Sequence, residues 1–210
     1  MPKIEPFEKY SNEYDEWFEK NIELYEAELK AVRQLIPLPG AEGMEVGIGS
    51  GKFAAPLGIK IGVEPSEKMA NKARMQGIEV YPGVAEALPF PDGKFDFVLM
   101  VTTICFVDDV IKSFREALRV LKINGCIIVG FVDKESGLGR QYLDNKENSR
   151  FYKVSVFFST SEVLEYLNDA GFEVTETRQA LIPGEPPGTI LEGFGRGAFV
   201  VIKGIKNKIG

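Results

Sequence analysis

Glu45-Val46-Gly47-Ile48-Gly49-Ser50-Gly51 decides how the rest of the chain is read. Met44 to Gly47 reads as a short buried strand, and three alternating glycines then turn the backbone toward a helix. Glycines at such positions permit a sharp bend and leave no Cβ between backbone and ligand. The helix that follows presents unpaired N–H groups to that ligand. Such turns hold the adenosine end of several cofactors, and spacing separates them. A dinucleotide fingerprint needs its third glycine where this chain has Lys52. A P-loop needs Gly at position 46 and Ser or Thr at position 53, which here are Val46 and Phe53. A glycine-rich turn without a ligand is the plain alternative.

Composition narrows the field. With 210 residues and 44% hydrophobic content, the chain suits one domain, or one domain with an added cap. A net charge of −6 disfavours nucleic acid as a partner. Cys105 and Cys126 make neither a disulfide framework nor a metal site, so no metal is expected. The chain carries no charged-then-apolar leader and no apolar run of membrane-span length, and a soluble, cytoplasmic protein is expected. There is no histidine, which removes the commonest general base and metal ligand.

Phe7, Tyr10, Tyr14, Trp17 and Phe18 recur at spacings of three and four, and Leu24, Tyr25, Leu29, Val32, Leu35 and Ile36 continue the stripe. This predicts helix from Phe7 to Ile36, ended by Pro37, Pro39 and Gly40. Residues 1–40 thus read as a helical cap and 41–210 as the main domain. A second strand, Ile59 to Glu64, ends in an acid thirteen residues after Gly51. In a doubly wound sheet that acid lies beside the glycine turn, where it can accept both hydroxyls of a ribose. Ser66 caps the next helix, with Pro65 stiffening its entry.

A third strand covers Ile78 to Tyr81, and backbone N–H groups of Ala85 or Glu86 after it can frame an adenine. Phe97 to Val101 is the fourth strand, followed by Thr102 at its carboxyl end, where open α/β sheets bind ligands. An amphipathic helix from Asp109 to Lys122, closed by Asn124-Gly125, leads to a fifth strand at Cys126 to Val132. From 133 to 158 the pattern breaks into a lid-like insertion. A helix capped by Ser159 or Thr160 and ended by Gly171 follows, then a sixth strand, Phe172 to Thr177. After a Pro/Gly-rich connection at 183–197 comes a seventh strand, Ala198 to Gly204, with no crossover helix and therefore antiparallel. Lys203, Lys206 and Lys208 form a basic, solvated tail.

Several motifs fall in order over nearly the whole chain: Tyr14-Asp15 with Trp17-Phe18, the glycine turn, Gly62-Val63-Glu64-Pro65-Ser66, Glu86-Ala87-Leu88-Pro89-Phe90, Phe95-Asp96, Arg115-Glu116 with Arg119-Val120-Leu121-Lys122, and Ala170-Gly171-Phe172. With them the chain resembles class I methyltransferases that use S-adenosylmethionine (SAM), of the ubiquinone/menaquinone-biosynthesis-like group. The resemblance implies a Rossmann-like, doubly wound sheet of seven strands in the order 3-2-1-4-5-7-6, strand seven antiparallel. It implies that Glu45, Gly47, Gly49 and Gly51 face the methionine part of SAM and that Glu64, with Pro65 and Ser66, serves the ribose. Ala85 and Glu86 would lie at the adenine, and the backbone of Met100, Val101 and Thr102 would hold the cofactor's amino group. Tyr14 or Trp17 either packs on the sheet or closes over the sulfonium, an aromatic–cation contact worth about 0.5–2 kcal/mol.

The chain departs from that group in three places. Val84 stands where many members carry an adenine-binding Asp, Ile104-Cys105-Phe106 where many carry histidine, and Ile123-Asn124 where Pro-Gly is usual. The expected activity is methyl transfer to a small, partly apolar acceptor by in-line displacement. If the acceptor needs a base, Asp133, Glu135, Tyr142 and Tyr152 are the candidates, and none is singled out as catalytic. A SAM-binding protein without turnover and a dinucleotide-dependent oxidoreductase are the alternatives.

Overall fold

The computed structural model describes residues 3–37 and 40–207. Its elements in chain order are helices α1 (Glu5–Lys9), α2 (Ser11–Lys20) and α3 (Ile22–Arg33), strand β1 (Gly43–Val46), α4 (Ala54–Leu57), β2 (Ile61–Glu64), α5 (Glu67–Met75), β3 (Glu79–Pro82), β4 (Phe95–Val101), α6 (Val110–Val120), β5 (Leu121–Val132), α7 (Gly137–Asp144), α8 (Thr160–Ala170), β6 (Phe172–Ala180), β7 (Leu191–Glu192) and β8 (Phe199–Lys206). The strands form one sheet in the order β3-β2-β1-β4-β5-β8-β6-β7. The first five pair in parallel, and β8 runs antiparallel between β5 and β6.

This is the expected order, with the seventh strand of the sequence reading now β8. One strand is added: Leu191 and Glu192, inside the Pro/Gly-rich connection, pair with Gln179 and Arg178 at the sheet edge. Two boundaries also move. The N-terminal stripe is three helices, because Tyr10 and Asn21 leave helical geometry at ψ 33° and 41°. Of its expected terminators, Pro39 lies outside the described residues, as does Lys208 of the basic tail. Helix α6 stops at Val120, since Leu121 is already extended and pairs with Phe95. Asn124, at φ 63°, turns within β5 instead of ending the helix.

Alternation along the strands divides the core. Val98 and Met100 of β4 pack with Phe114, Ala117, Val163 and Leu167 of α6 and α8. Phe97, Leu99 and Val101 face the opposite way, onto Ala27, Ala31 and Val32 of α3, Ala54 of α4, and Ala70 and Ala73 of α5. Helices thus cover both faces, as a parallel sheet of apolar strands requires. Their ends are fixed locally: Ser66 and Ser159 accept the N–H of Met69 and Glu162, and Gly171 ends α8 at φ 102°.

The glycine turn is seated by close packing across β1 and β2. A Cβ at Gly62 would stand 2.9 Å from the Cβ of Ile48, the turn residue that fills this space. Gly62→Ala is therefore expected to lower stability by about 1–3 kcal/mol through overpacking, measured as a shift in the urea midpoint. An unchanged midpoint would show that Ile48 is free to move.

Candidate functional site

Gly47, Gly49 and Gly51 take φ of 66°, 56° and 85°, a region other residues enter only under strain. From below, the N–H groups of Gly47 and Ile48 donate to the carbonyl of Val63 at 2.8 and 3.1 Å. From the side, Glu64 Oε2 accepts the Gly49 N–H at 2.8 Å and Oε1 the Ser66 N–H at 2.9 Å. One carboxylate thereby ties the turn to the start of α5. A carboxylate offers about four lone-pair positions, which leaves roughly two for donors in the cleft. Burial pushes the Glu64 carboxyl up to about 7, against the lowering pull of its two N–H donors.

The cleft over the turn is lined by Tyr14, Gly47, Gly49, Glu64, Pro65, Ala85, Glu86, Val101 and Thr102 of the expected cofactor residues. Trp17 lines an adjoining cavity instead. Glu45, Gly51, Ser66 and Met100 line neither cavity. Gly51 packs on the Ile78 side chain, Ser66 caps α5, and Met100 is wholly buried. Glu45 is buried with Oε2 unpartnered, and burial, opposed by the Ala54 N–H and reinforced by the charge of Glu64, raises its carboxyl well above the usual range.

At the Ala85–Glu86 side of the cleft the side chain of Glu86 is already committed. Its Oε1 accepts the N–H groups of Asp108 and Asp109 at 2.7 and 3.2 Å, joining the loop to the start of α6. The loop is held from behind by Arg119, which donates to the carbonyls of Leu88 and Phe90 at 3.0 and 2.8 Å, and by Glu116, which accepts the Leu88 N–H at 2.8 Å. These bonds explain the Arg115-Glu116 and Arg119 motif as a brace on the loop. Val84 also lines the cleft and its side chain has no polar atom, so the backbone is what remains to donate or accept there.

Helices α1 and α2 close the cleft from above. Tyr14 stands over the turn: a Cβ at Gly49 would lie 3.5 Å from its hydroxyl. The helices are held by polar contacts. Glu8 accepts from Ser66 Oγ at 2.7 Å, and Asp15 accepts from Ser50 Oγ at 2.6 Å and pairs with Lys72 at 2.7 Å. Lys52, at the position that separates this turn from a dinucleotide fingerprint, lies 3.7 Å from Asp15.

A second cavity of about 310 Å³ adjoins the cleft. Phe7, Tyr14, Thr102 and Phe106 line both spaces and stand at their common border. Thr102 sits at φ 51°, a left-handed conformation that costs a β-branched residue on the order of 1–3 kcal/mol. The second cavity is walled by aromatic rings: Phe7–Phe106 at 4.9 Å, Phe7–Phe151 at 5.5 Å, Tyr14–Phe18 at 5.2 Å and Tyr142–Tyr152 at 5.0 Å. Its lining also includes Glu28, which is 5% exposed. The sequence reading passed over Glu28. The signal was a carboxylate inside an apolar stripe, three and four residues from Tyr25 and Val32.

The four base candidates separate clearly. Asp133 is spent on structure: Oδ2 accepts the N–H and hydroxyl of Thr160 at 3.1 and 2.5 Å, and Oδ1 the Glu135 N–H at 2.8 Å. Asp133 and Glu135 are not in the cavity wall, whereas Tyr142 and Tyr152 are. Burial pushes the Tyr142 phenol up to about 12 and Tyr152 well above its ordinary value, so both stay protonated near neutrality. Burial likewise pushes the Cys105 thiol up to about 12, which leaves it a poor nucleophile. Among the described residues no cluster of His, Cys, Asp or Glu suits a metal ion, and no helix is long and apolar enough to cross a membrane.

Comparison with known proteins agrees with this geometry. Residues 44–129 match the family described as "Methyltransferase domain". A solved Thermotoga maritima structure, described as a SAM-dependent methyltransferase and "possible histamine N-methyltransferase", is 50% identical, with a TM-score of 0.92 over 97% of this chain and 100% of that one. Uncharacterized protein MJ1123 of Methanocaldococcus jannaschii is 41% identical over 95% of this chain and 98% of its own length. The ubiquinone/menaquinone biosynthesis C-methyltransferase of Stenotrophomonas maltophilia is 32% identical over 41% of this chain and 40% of that enzyme. The chain belongs to the class I SAM-dependent methyltransferases, and SAM is its cofactor. The site fits that ligand: bare backbone at Gly47 and Gly49, and spare acceptor capacity on a buried carboxylate for two hydroxyls.

Three buried carboxyls, Glu64 at about 7, Glu28 at about 8, and Glu45, keep their protons to higher pH in the folded chain than in the unfolded one. Between about pH 4.5 and 8 the native state therefore binds more protons, and stability falls as pH rises. Carboxyls held low by donors, such as Glu8, Asp96 and Glu162, titrate below that window. The thermal midpoint of the ligand-free protein is expected to be several degrees lower at pH 8.5 than at pH 5.5. Glu64 alone contributes on the order of 3 kcal/mol. Scanning fluorimetry across that range would contradict this by giving a flat or rising midpoint.

Proposed function

We propose that the protein transfers the methyl group of SAM to a small-molecule acceptor held in the aromatic cavity. The observation that carries this reading is that Phe7, Tyr14, Thr102 and Phe106 line both the cleft over the glycine turn and an adjoining aromatic-walled space of about 310 Å³. That volume lies at the small end of ligand pockets. It argues for a compact acceptor over a macromolecule, and the description of the Thermotoga relative points the same way.

When bound, SAM supplies an activated methyl group whose sulfur departs as a neutral thioether. The chain's task is to hold, align and keep out water, and alignment alone can be worth about 7–11 kcal/mol. In this reading Glu64 takes the ribose hydroxyls and the backbone at Ala85 and Glu86 meets the adenine. Gly47, Gly49 and Thr102 flank the methionine end, and Pro65 and Val101 complete the walls. Tyr14 keeps its phenol protonated over the turn at the border of cleft and cavity, and Trp17 faces the acceptor. Residues 1–40 act as a cap and 133–158 as a lid, since the two segments together supply most of the cavity's lining residues.

The test is titration calorimetry with SAM. A carboxylate that binds a ribose must be ionised, so affinity is expected to be full above pH 7 and to fall about tenfold per unit below it. Glu64→Ala is expected to weaken SAM at least tenfold at pH 8, from the loss of charged hydrogen bonds worth about 1.5–3 kcal/mol each, and to flatten the pH slope. Equal affinity in the variant and the parent protein would remove Glu64 from the site.

A further inference from the structure

Resting on that reading, we infer that the acceptor is a small aromatic amine that binds as a cation, with Glu28 as its counter-charge and the surrounding rings as its cage. The argument starts from what the cavity wall lacks. It holds two carboxylates, Glu13 and Glu28, and no lysine or arginine. Glu13 is paired with Arg150 at 3.3 Å and is partly exposed. Glu28 is 5% exposed and has no hydrogen bond or ion pair among the described residues. Nearby cations are turned elsewhere: Lys52 and Lys72 go to Asp15.

A buried carboxylate without a partner is costly, and proteins ordinarily pair it or replace it. Here it faces an open space ringed by phenols and indole. Its charge acts on Tyr14, Tyr25, Tyr142 and Tyr152, which places it opposite both the cofactor-side and insertion-side walls. With nothing bound, burial pushes its carboxyl up to about 8, the expected state of an acid waiting for a cation. Aromatic faces attract a cation further when it is desolvated. A neutral phenol or alcohol brings no charge that would favour ionising Glu28, and a carboxylate ligand would set a second acid against it.

The same residue answers the absence of histidine. An ammonium nitrogen must shed one proton before it can take a methyl group. The N–H bond breaks, the electron pair stays on nitrogen, and the proton forms an O–H bond on a carboxylate. Glu28 is the unpaired carboxylate in that wall.

The experiment uses the whole chain saturated with S-adenosylhomocysteine and calorimetric titration at pH 7.5 with 2-phenylethylamine, 2-phenylethanol and 3-phenylpropionate. The amine is expected to bind at least tenfold tighter than the alcohol, and the acid not detectably. Glu28→Gln is expected to bring the amine to the affinity of the alcohol while S-adenosylhomocysteine binds as before, which also reports an intact fold. With tritiated SAM, label is expected in the amine with the parent protein and at least tenfold less with Glu28→Gln. Equal binding of amine and alcohol, binding of neither, or a preference that survives Glu28→Gln would overturn the inference and leave the methyltransferase reading standing. So would a variant that loses affinity for SAM but not for S-adenosylhomocysteine, since that assigns Glu28 to the sulfonium. Failure of the parent protein to bind S-adenosylhomocysteine would instead sink the proposed cofactor site. The selectivity of the parent protein is a complete test if the variant does not fold.

Discussion

Two hydrogen bonds to one side chain hold the site together. Glu64 accepts Gly49 N–H on one oxygen and Ser66 N–H on the other, so the turn after β1 and the start of α5 share a single anchor. The anchor exists because β1 and β2 are parallel neighbours whose carboxyl ends emerge side by side. It lies at the centre of the sheet, where the chain reverses its direction of winding between β1 and β4, the crevice where open α/β sheets receive ligands. Positive φ at Gly47 and Gly49 lets the turn aim the Gly47 N–H at the Val63 carbonyl and the Gly49 N–H at that carboxylate.

The site is bought with stability elsewhere. Glu64, Glu45 and Glu28 are buried acids whose ionised forms the fold disfavours, and Thr102 is strained at the end of β4. Each has a local reason. Thr102 lines both cleft and cavity, while its N–H still donates to the Gly130 carbonyl at 2.8 Å. The layers around the sheet offset such costs: the β4 residues from Phe95 to Val101, Asp96 apart, are almost fully buried. Rigid apolar strands below and strained or charged groups at their tips are the usual division in an α/β enzyme.

What could be read from sequence follows from how local the signal is. The glycine turn, the acid at the end of β2 and the caps at Ser66 and Gly171 rest on short-range patterns and stand where expected; of Ser159 and Thr160, Ser159 is the cap, and the sheet order is the one the family resemblance implied. The register at Leu121 and the two-residue β7 were missed because pairing to distant strands decides them. Asp133 was a base candidate because the chain has no histidine and the insertion begins with this acid. Only the fold shows that Thr160 and Glu135 use both its oxygens. Glu28 was passed over for the converse reason: on a helical wheel it interrupts an apolar stripe, and only the insertion folding across from it turns that break into a cavity wall.

The two halves of the site therefore differ in how far they can be carried from one protein to another. The cofactor cleft is built from strand tips and turns that come with the fold, and the family match at 44–129 covers most of its lining. The second cavity takes only Phe53, Thr102 and Phe106 from that range. Its remaining lining comes from α1–α3, from Val132 and from the insertion after it. These segments meet through ring contacts such as Phe7–Phe151, which a few substitutions can remodel without touching the sheet. A shared fold thus fixes the methyl donor and leaves the acceptor to be argued from side chains. In this chain those side chains are rings around one unpaired acid, in a wall without a cation.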